Sequence, residues 1–273
     1  MNSDSKSVLL LDTSVQVDRI KTGERKRHLD DLISKFDLTV ATSISLLEFK
    51  AVVIQECITI HNALRLANAR FTVVRDQLVE SLHRQHQLRA HIFNNIISVF
   101  GSSLEIDDST DVRLAEKARL TLENQIPRLY TWFRKSVDSI LADAIRCDRA
   151  KEPPLRKNAG FSTNLPNCKR GSNRNCNVED FVRLNLPSTL PQITAVVESS
   201  AQLQRSADQF AELSVDPNKE WSHQNCRNVG DCLIAFEGRH HATHAASTNR
   251  AEWEPLSTIL GFELVEITYP KRG

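Results

Sequence analysis

The apolar run Val8-Leu9-Leu10-Leu11 stops abruptly at Asp12-Thr13-Ser14. Such an uninterrupted run between polar residues suits a strand covered on both faces, as in a parallel sheet, rather than the alternation of a sheet with one wet face. This strand delivers Asp12 at its carboxyl end. A second apolar stretch, Phe262 to Thr268, reads as a strand near the other end of the sequence, and Ala242 to Ser247 as a weaker one. Strands at both ends with helices between them imply a parallel sheet assembled from the two terminal regions.

Between these ends the periodicity is mostly helical. A charged helix is expected over Glu24 to Lys35 and a short strand over Asp37 to Ala41, after which Ser43 or Ser45 caps the next helix. In that helix Leu47, Ala51, Ile54 and Ile58 form an apolar stripe, and Glu48 lies about 100° round from Leu47, at its edge. Further stripes run through Phe71, Val74, Leu78 and Leu82, through Leu88, Ile92, Ile96 and Val99, and through Leu122, Ile126, Leu129, Phe133, Val137 and Ile140, with Pro127 kinking the third or marking a new start. Residues 151 to 175 are rich in Pro, Gly, Asn, Lys and Arg and are expected to form a basic loop without regular structure. Pro191 is expected to precede a helix carrying Val196, Leu203 and Phe210, and Asp231 to open another through Glu237.

Composition narrows the function classes. With 273 residues and 40% hydrophobic content the chain can bury a sizeable core, and its net charge of +1 means that a nucleic-acid surface would come from local clustering of charge. The six cysteines are scattered and the N-terminal stretch lacks the pattern of a secretory signal, so reduced thiols and a cytoplasmic location are expected. No apolar run approaches the roughly 20 residues needed to cross a bilayer, so no membrane partner is expected.

Three acids stand out for their placement: Asp12 after a strand, Glu48 on a helix, and Asp231 in Gly230-Asp231-Cys232-Leu233-Ile234-Ala235. Each alone also has an ordinary explanation as a turn residue, a solvated helix position or a helix cap. Together, Leu9 to Ser14, Ser45-Leu46-Leu47-Glu48, Gly230 to Ala235, Ser247-Thr248-Asn249-Arg250-Ala251-Glu252-Trp253-Glu254-Pro255-Leu256 and the closing Leu260 to Val265 resemble, in order, the motifs of a PIN-domain nuclease. The resemblance covers residues 7 to 60 and 225 to 268. It implies an α/β protein with a three-layer α/β/α PIN-like core built on a parallel sheet, and a large α-helical insertion. The implied division is a catalytic core from 1–60 and 225–273, a helical insertion over 61–150, and a basic loop with an additional helix over 151–224 completing the core.

The activity implied is cleavage of RNA phosphodiesters, assisted by Mg²⁺ or Mn²⁺ held by Asp12, Glu48 and Asp231, since such hard ions prefer carboxylate oxygens. Asn249 is expected to join the catalytic set. Where the family places a fourth acid after Thr-Asn, this chain has Arg250, which leaves Asn249 or the displaced Glu252 to complete the site. Thr13, Ser14, Thr248, Arg250, Lys169 and Arg170 are expected to contact substrate. The other readings are an inactive PIN-like module that binds RNA or protein, and a toxin or defence effector held by a partner. The helical insertion offers a surface for a protein partner or a homodimer. Cys168, Cys176, His223 and Cys226 make a candidate structural Zn²⁺ set, against ordinary thiols or a disulfide.

Overall fold

A computed structural model of the chain describes residues 6–20, 23–66, 69–80, 108–157, 160–162, 176–194, 201–216, 219 and 221–269. The chain divides into two compact units, one of Met1–Phe49, Phe133–Lys151 and Pro166–Gly273, the other of Lys50–Trp132 and Glu152–Leu165.

The first unit is built on a five-stranded parallel sheet. Its strands are β1 (Val8–Leu11), β2 (Leu38–Thr42), β3 (Ser139–Leu141), β6 (His244–Ala246) and β7 (Glu263–Leu264), ordered β3-β2-β1-β6-β7. The expected central strand is confirmed: Leu9, Leu10 and Leu11 are fully buried, with Leu10 in register with Val40 on one side and Ala245 on the other. The sheet grows away from β1 in both directions, and the crevice beyond the carboxyl ends of the strands at such a reversal is where α/β proteins bind ligands.

Helices pack on this sheet. The chain leaves β1 directly into α1 (Thr13–Arg19), continues through α2 (Glu24–Ile33), and leaves β2 directly into α3 (Ser43–Phe49). The expected serine cap of α3 is corrected by one position, because Thr42 Oγ1 accepts the Ser45 N–H at 3.0 Å.

Local pattern and observed structure part company where tertiary pairing decides. The helical stripe expected to run through Ile140 ends at Lys135, since Ser139–Leu141 pairs with β2 and Asp138 Oδ2 accepts the Thr39 N–H at 2.7 Å. Pro191 does not precede a helix but lies inside one, Val178–Thr194, while Leu203 and Phe210 belong to a separate helix, Ala201–Val215. The strand expected over Phe262 to Thr268 pairs only at Glu263–Leu264. Val196 and the stripe from Leu88 to Val99 lie outside the described residues.

In the second unit a π-helical turn, Lys50–Ile54, leads into α4 (Gln55–Ala63), followed by α5 (Phe71–Glu80) and most of α6 (Asp108–Lys135). Pro127 neither starts nor ends α6, which continues through it. The loop expected to lack regular structure contains a short antiparallel pair, β4 (Leu155–Lys157) with β5 (Gly160–Ser162).

Back in the first unit, the further helices among the described residues are α7 (Asp148–Lys151), α8 (Val178–Thr194), α9 (Ala201–Val215), α10 (His223–Asn228), α11 (Gly230–Gly238) and α12 (Arg250–Leu260). Helix α11 approaches β1 closely enough that a Cβ on Gly238 would lie 2.3 Å from Leu10 Cδ2. Close by on α11, the buried Glu237 carboxylate accepts the N–H groups of Asp143, at 2.8 Å, of Ala144, at 3.3 Å, and of Ile145. The carboxylate thus gathers three successive donors of the turn that follows β3. Glu237→Gln turns an amide donor toward them and leaves donors facing donors, a cost of about 3 kcal/mol in urea unfolding. An unchanged midpoint would show that the turn does not depend on this carboxylate.

Candidate metal centre

The site begins with a strand end. Asp12 leaves β1 with its backbone N–H bonded to Ala246 O at 3.0 Å, and becomes the N-cap of α1 with extended backbone angles. Its Oδ1 accepts the Thr13 N–H at 2.6 Å, while Oδ2 accepts the Ser14 N–H at 3.3 Å and the hydroxyls of Ser14, at 2.5 Å, and Ser247, at 2.8 Å. These donors, and the positive end of the helix, offset the cost of burying a carboxylate that is only 2% exposed. Burial still wins, so Asp12 holds its proton above the usual carboxylate range.

Glu48 arrives from α3. Its Oε2 accepts the Thr13 hydroxyl at 2.7 Å, so one turn of chain after β1 fixes both Asp12 and Glu48. The other oxygen fits only because residue 230 has no side chain, since a Cβ there would sit 1.9 Å from Glu48 Oε1. Burial first, then repulsion from Asp12, pushes the Glu48 carboxyl up to about 8, against smaller lowering by Thr13 and by the positive charge of Arg227.

Asp231 enters from the first turn of α11, where the helix dipole favours an acid. Oxygens of Asp12, Glu48 and Asp231 all lie within 4.8 Å of one another. The spatial expectation for these acids is met. Two unit charges at that separation repel by about 3 kcal/mol at an effective dielectric constant of about 20. Accordingly Asp231 is pushed well above its ordinary value by burial, then by Asp12, Glu252 and Glu48.

Glu252, on α12, is the fourth acid. Its carboxyl lies in hydrogen-bonding contact with that of Asp231, yet its buried Oε2 faces no hydrogen-bond donor. Of the two groups offered by the sequence in place of an acid at position 250, Glu252 is the one against the cluster. Asn249 lies half-buried at the N-cap of α12, its N–H donated to Ser247 Oγ at 3.0 Å.

The remaining candidates scatter. Thr13 and Ser14 are committed to Glu48 and Asp12, and the exposed Thr248 gives its N–H to Ser14 Oγ at 3.0 Å. Arg250 is not among the acids: its exposed guanidinium meets Glu254 at 3.6 Å and Glu266 at 3.4 Å. Cys168, Lys169 and Arg170, and the side chain of His223, lie outside the described residues. Cys176 stands opposite Cys147, a partner that the sequence reading did not select. Ser247 was also missed as a partner of Asp12, although it closes the weak strand and opens the Ser247 to Leu256 motif.

An all-oxygen set of this kind fits a hard divalent cation. The orphaned Glu252 oxygen and the raised proton affinities are what such a charge would satisfy. Among the described residues no helix is long and apolar enough to cross a membrane.

Comparisons with protein-family models, with curated proteins and with solved structures return no match. The fold and site therefore define a class and no more: an α/β protein with a parallel sheet and a carboxylate cluster able to hold a divalent ion, compatible with a PIN-like fold.

Proposed function

We propose that the chain is a PIN-like ribonuclease dependent on Mg²⁺ or Mn²⁺, its helical part outside the sheet unit being an insertion. The observation that carries this reading is the meeting of Asp12, Glu48 and Asp231 within 4.8 Å beyond the carboxyl ends of the strands. RNA as substrate, and the cytoplasm as the place of action, are parts of the same proposal.

A cation bound there would activate water and offset negative charge on the phosphate and leaving oxygen. Asp12, Glu48 and Asp231 would hold it, with Glu252 as a further ligand or an acceptor for bound water. Asp12 is the fixed ligand, because its donors from α1 and Ser247 permit little movement. Thr13 holds Glu48 by one oxygen and leaves Oε1 for the cluster. The Asp231 carboxyl, raised by burial and by the neighbouring acids, would give up its proton when the site is loaded. Thr248 and Asn249, at the edge, are placed to orient substrate.

Arg250, in contact with Glu254 and Glu266, does not take the place of a metal among the acids, which favours an active site over an inactive module. Control by a partner protein is compatible with the same chemistry. With Mn²⁺ or Mg²⁺, purified protein should cut members of a panel of structured and single-stranded RNAs. Asp12→Asn and Asp231→Asn should each lower the rate by more than about 100-fold. A panel left intact, or variants that cut as well as the parent, would end the nuclease reading.

A further inference from the structure

Outside the acidic site, the residues with the most chemistry left unexplained are Cys147 and Cys176. They face each other as an isolated antiparallel bridge. The adjoining bond, from Asn177 N–H to Arg146 O at 3.1 Å, marks them as the pair that does not exchange backbone hydrogen bonds. In that register Cα atoms approach to about 4.5 Å and side chains are at their closest. A disulfide spans Cα separations of about 4.4–6.8 Å, so the backbone needs little movement to accept one.

The surroundings hold this alignment. Asn177 Oδ1 accepts the Arg146 N–H at 2.6 Å and its Nδ2 donates to Ala144 O at 2.9 Å, clamping the two segments together next to the cysteines. The two thiols are hydrogen-bonded to each other, and the Ala150 N–H is donated to the Cys147 carbonyl oxygen at 3.0 Å. Cys147 is 3% exposed whereas Cys176 is partly open to solvent. One thiol is reachable and its neighbour waits behind it.

We propose that Cys147 and Cys176 form a reversible dithiol–disulfide pair, oxidised by a low-molecular-weight disulfide. The Cys176 thiolate attacks one sulfur of the small disulfide, forming a mixed disulfide and expelling one small thiolate, which takes up the proton lost by Cys176. Cys147 then loses its proton and attacks Cys176 Sγ, and the second small thiolate departs with that proton. Two protein thiols are oxidised to one disulfide while the reagent is reduced to two thiols.

The bond to Cys176, then burial, holds the Cys147 thiol far above its ordinary value, and its burial behind Cys176 keeps it out of the first step. The other described cysteines are poor competitors. Cys57 and Cys232 are buried with thiols pushed up to about 12, and Cys226 is buried and accepts the Trp221 Nε1–H at 3.0 Å. A bridge would tie together the ends of segment 148–175, which carries Lys151, Arg156, Lys157, Lys169, Arg170 and Arg174. Oxidation would thus restrain the most basic stretch of the chain.

The test uses the full chain, reduced, treated with chelator, and equilibrated across a series of reduced-to-oxidised glutathione ratios. Free thiols are then alkylated and the disulfides mapped by mass spectrometry. Expected is a single bridge between Cys147 and Cys176, reversed by reduction, with the unfolding midpoint raised by about 5 °C or more. Cys176→Ser should abolish both bridge and shift, while Cys147→Ala should stop at the mixed disulfide on Cys176. A bridge from Cys176 to Cys168 or Cys226, or a mixed disulfide that never resolves in the parent chain, overturns the proposal. So does stoichiometric zinc in protein purified without chelator and lost in Cys147→Ala, which would make these thiols metal ligands.

Discussion

Asp231→Asn is expected to make the chain more resistant to heat in the presence of chelator while removing its response to Mn²⁺. The substitution takes one acid out of a crowded set and presents an amide that can donate to the neighbouring Glu252 carboxylate, whose Oε2 faces no donor. A gain of about 1–2 kcal/mol, a few degrees in the midpoint, is expected. The parent behaves in the opposite way. Saturation with Mn²⁺ at a hundredfold excess over Kd is expected to stabilise it by about 2.7 kcal/mol, a midpoint rise of about 5–10 °C.

The pH dependence follows from Glu48, whose carboxyl is raised from 4.5 to about 8 in the folded chain. Below pH 4.5 this group is protonated whether the chain is folded or not, and its contribution is complete. As the pH rises from there to about 8 the folded chain must either hold the proton or accept a buried charge, and stability is lost across that window. Asp12 and Asp231, both raised, act in the same direction. Mn²⁺ should flatten the decline, so its stabilising effect grows with pH as protons are displaced. Asp12→Asn separates the two roles, because Asp12 also caps α1, and should destabilise where Asp231→Asn stabilises. Thermal scans with and without Mn²⁺ from pH 5 to pH 8 decide the matter. A parent whose midpoint ignores both pH and Mn²⁺ would remove the metal-site argument.

The second large effect belongs to a residue with no side chain. Gly230→Ala places a methyl where the Glu48 Oε1 atom lies, 1.9 Å from the new carbon, so the carboxylate must swing out of the cluster. Since Gly230 opens α11, alanine there favours the helix by up to about 1 kcal/mol. Stability in chelator should hold or rise, while affinity for Mn²⁺ should fall by about 10- to 100-fold and cleavage at least as much. Calorimetric titration with Mn²⁺ reads the first quantity. Combining the change with Glu48→Asp, which draws the carboxylate back by one methylene, should recover part of the affinity. Equal binding by parent and Gly230→Ala would mean that Glu48 is not a ligand.

The parts of the site readable in the sequence were those tied to strong local patterns. Asp12 ends an apolar run that can only be a buried strand, and Glu48 sits at the border of a helical stripe. Glu252 was harder, since Glu252 and Glu254 flank Trp253 and only the packing of the buried indole decides which acid turns inward. Ser247 reaches Asp12 from more than two hundred residues away, a pairing that no local spacing encodes. Strand β3 was lost to the helix before it because Phe133, Val137 and Ile140 keep a helical spacing across a boundary set by pairing to β2. The opposition of Cys147 and Cys176 was hidden for the same reason.

The order of the strands has a consequence during synthesis. Strand β1 leaves the ribosome more than two hundred residues before its neighbour β6 and three of the assembled groups, Asp231, Ser247 and Glu252. A nascent or truncated chain therefore has β1 with one edge unpaired and a ligand set short of half its carboxylates. On the nuclease reading proposed above, the growing polypeptide would be unarmed beside the message being read.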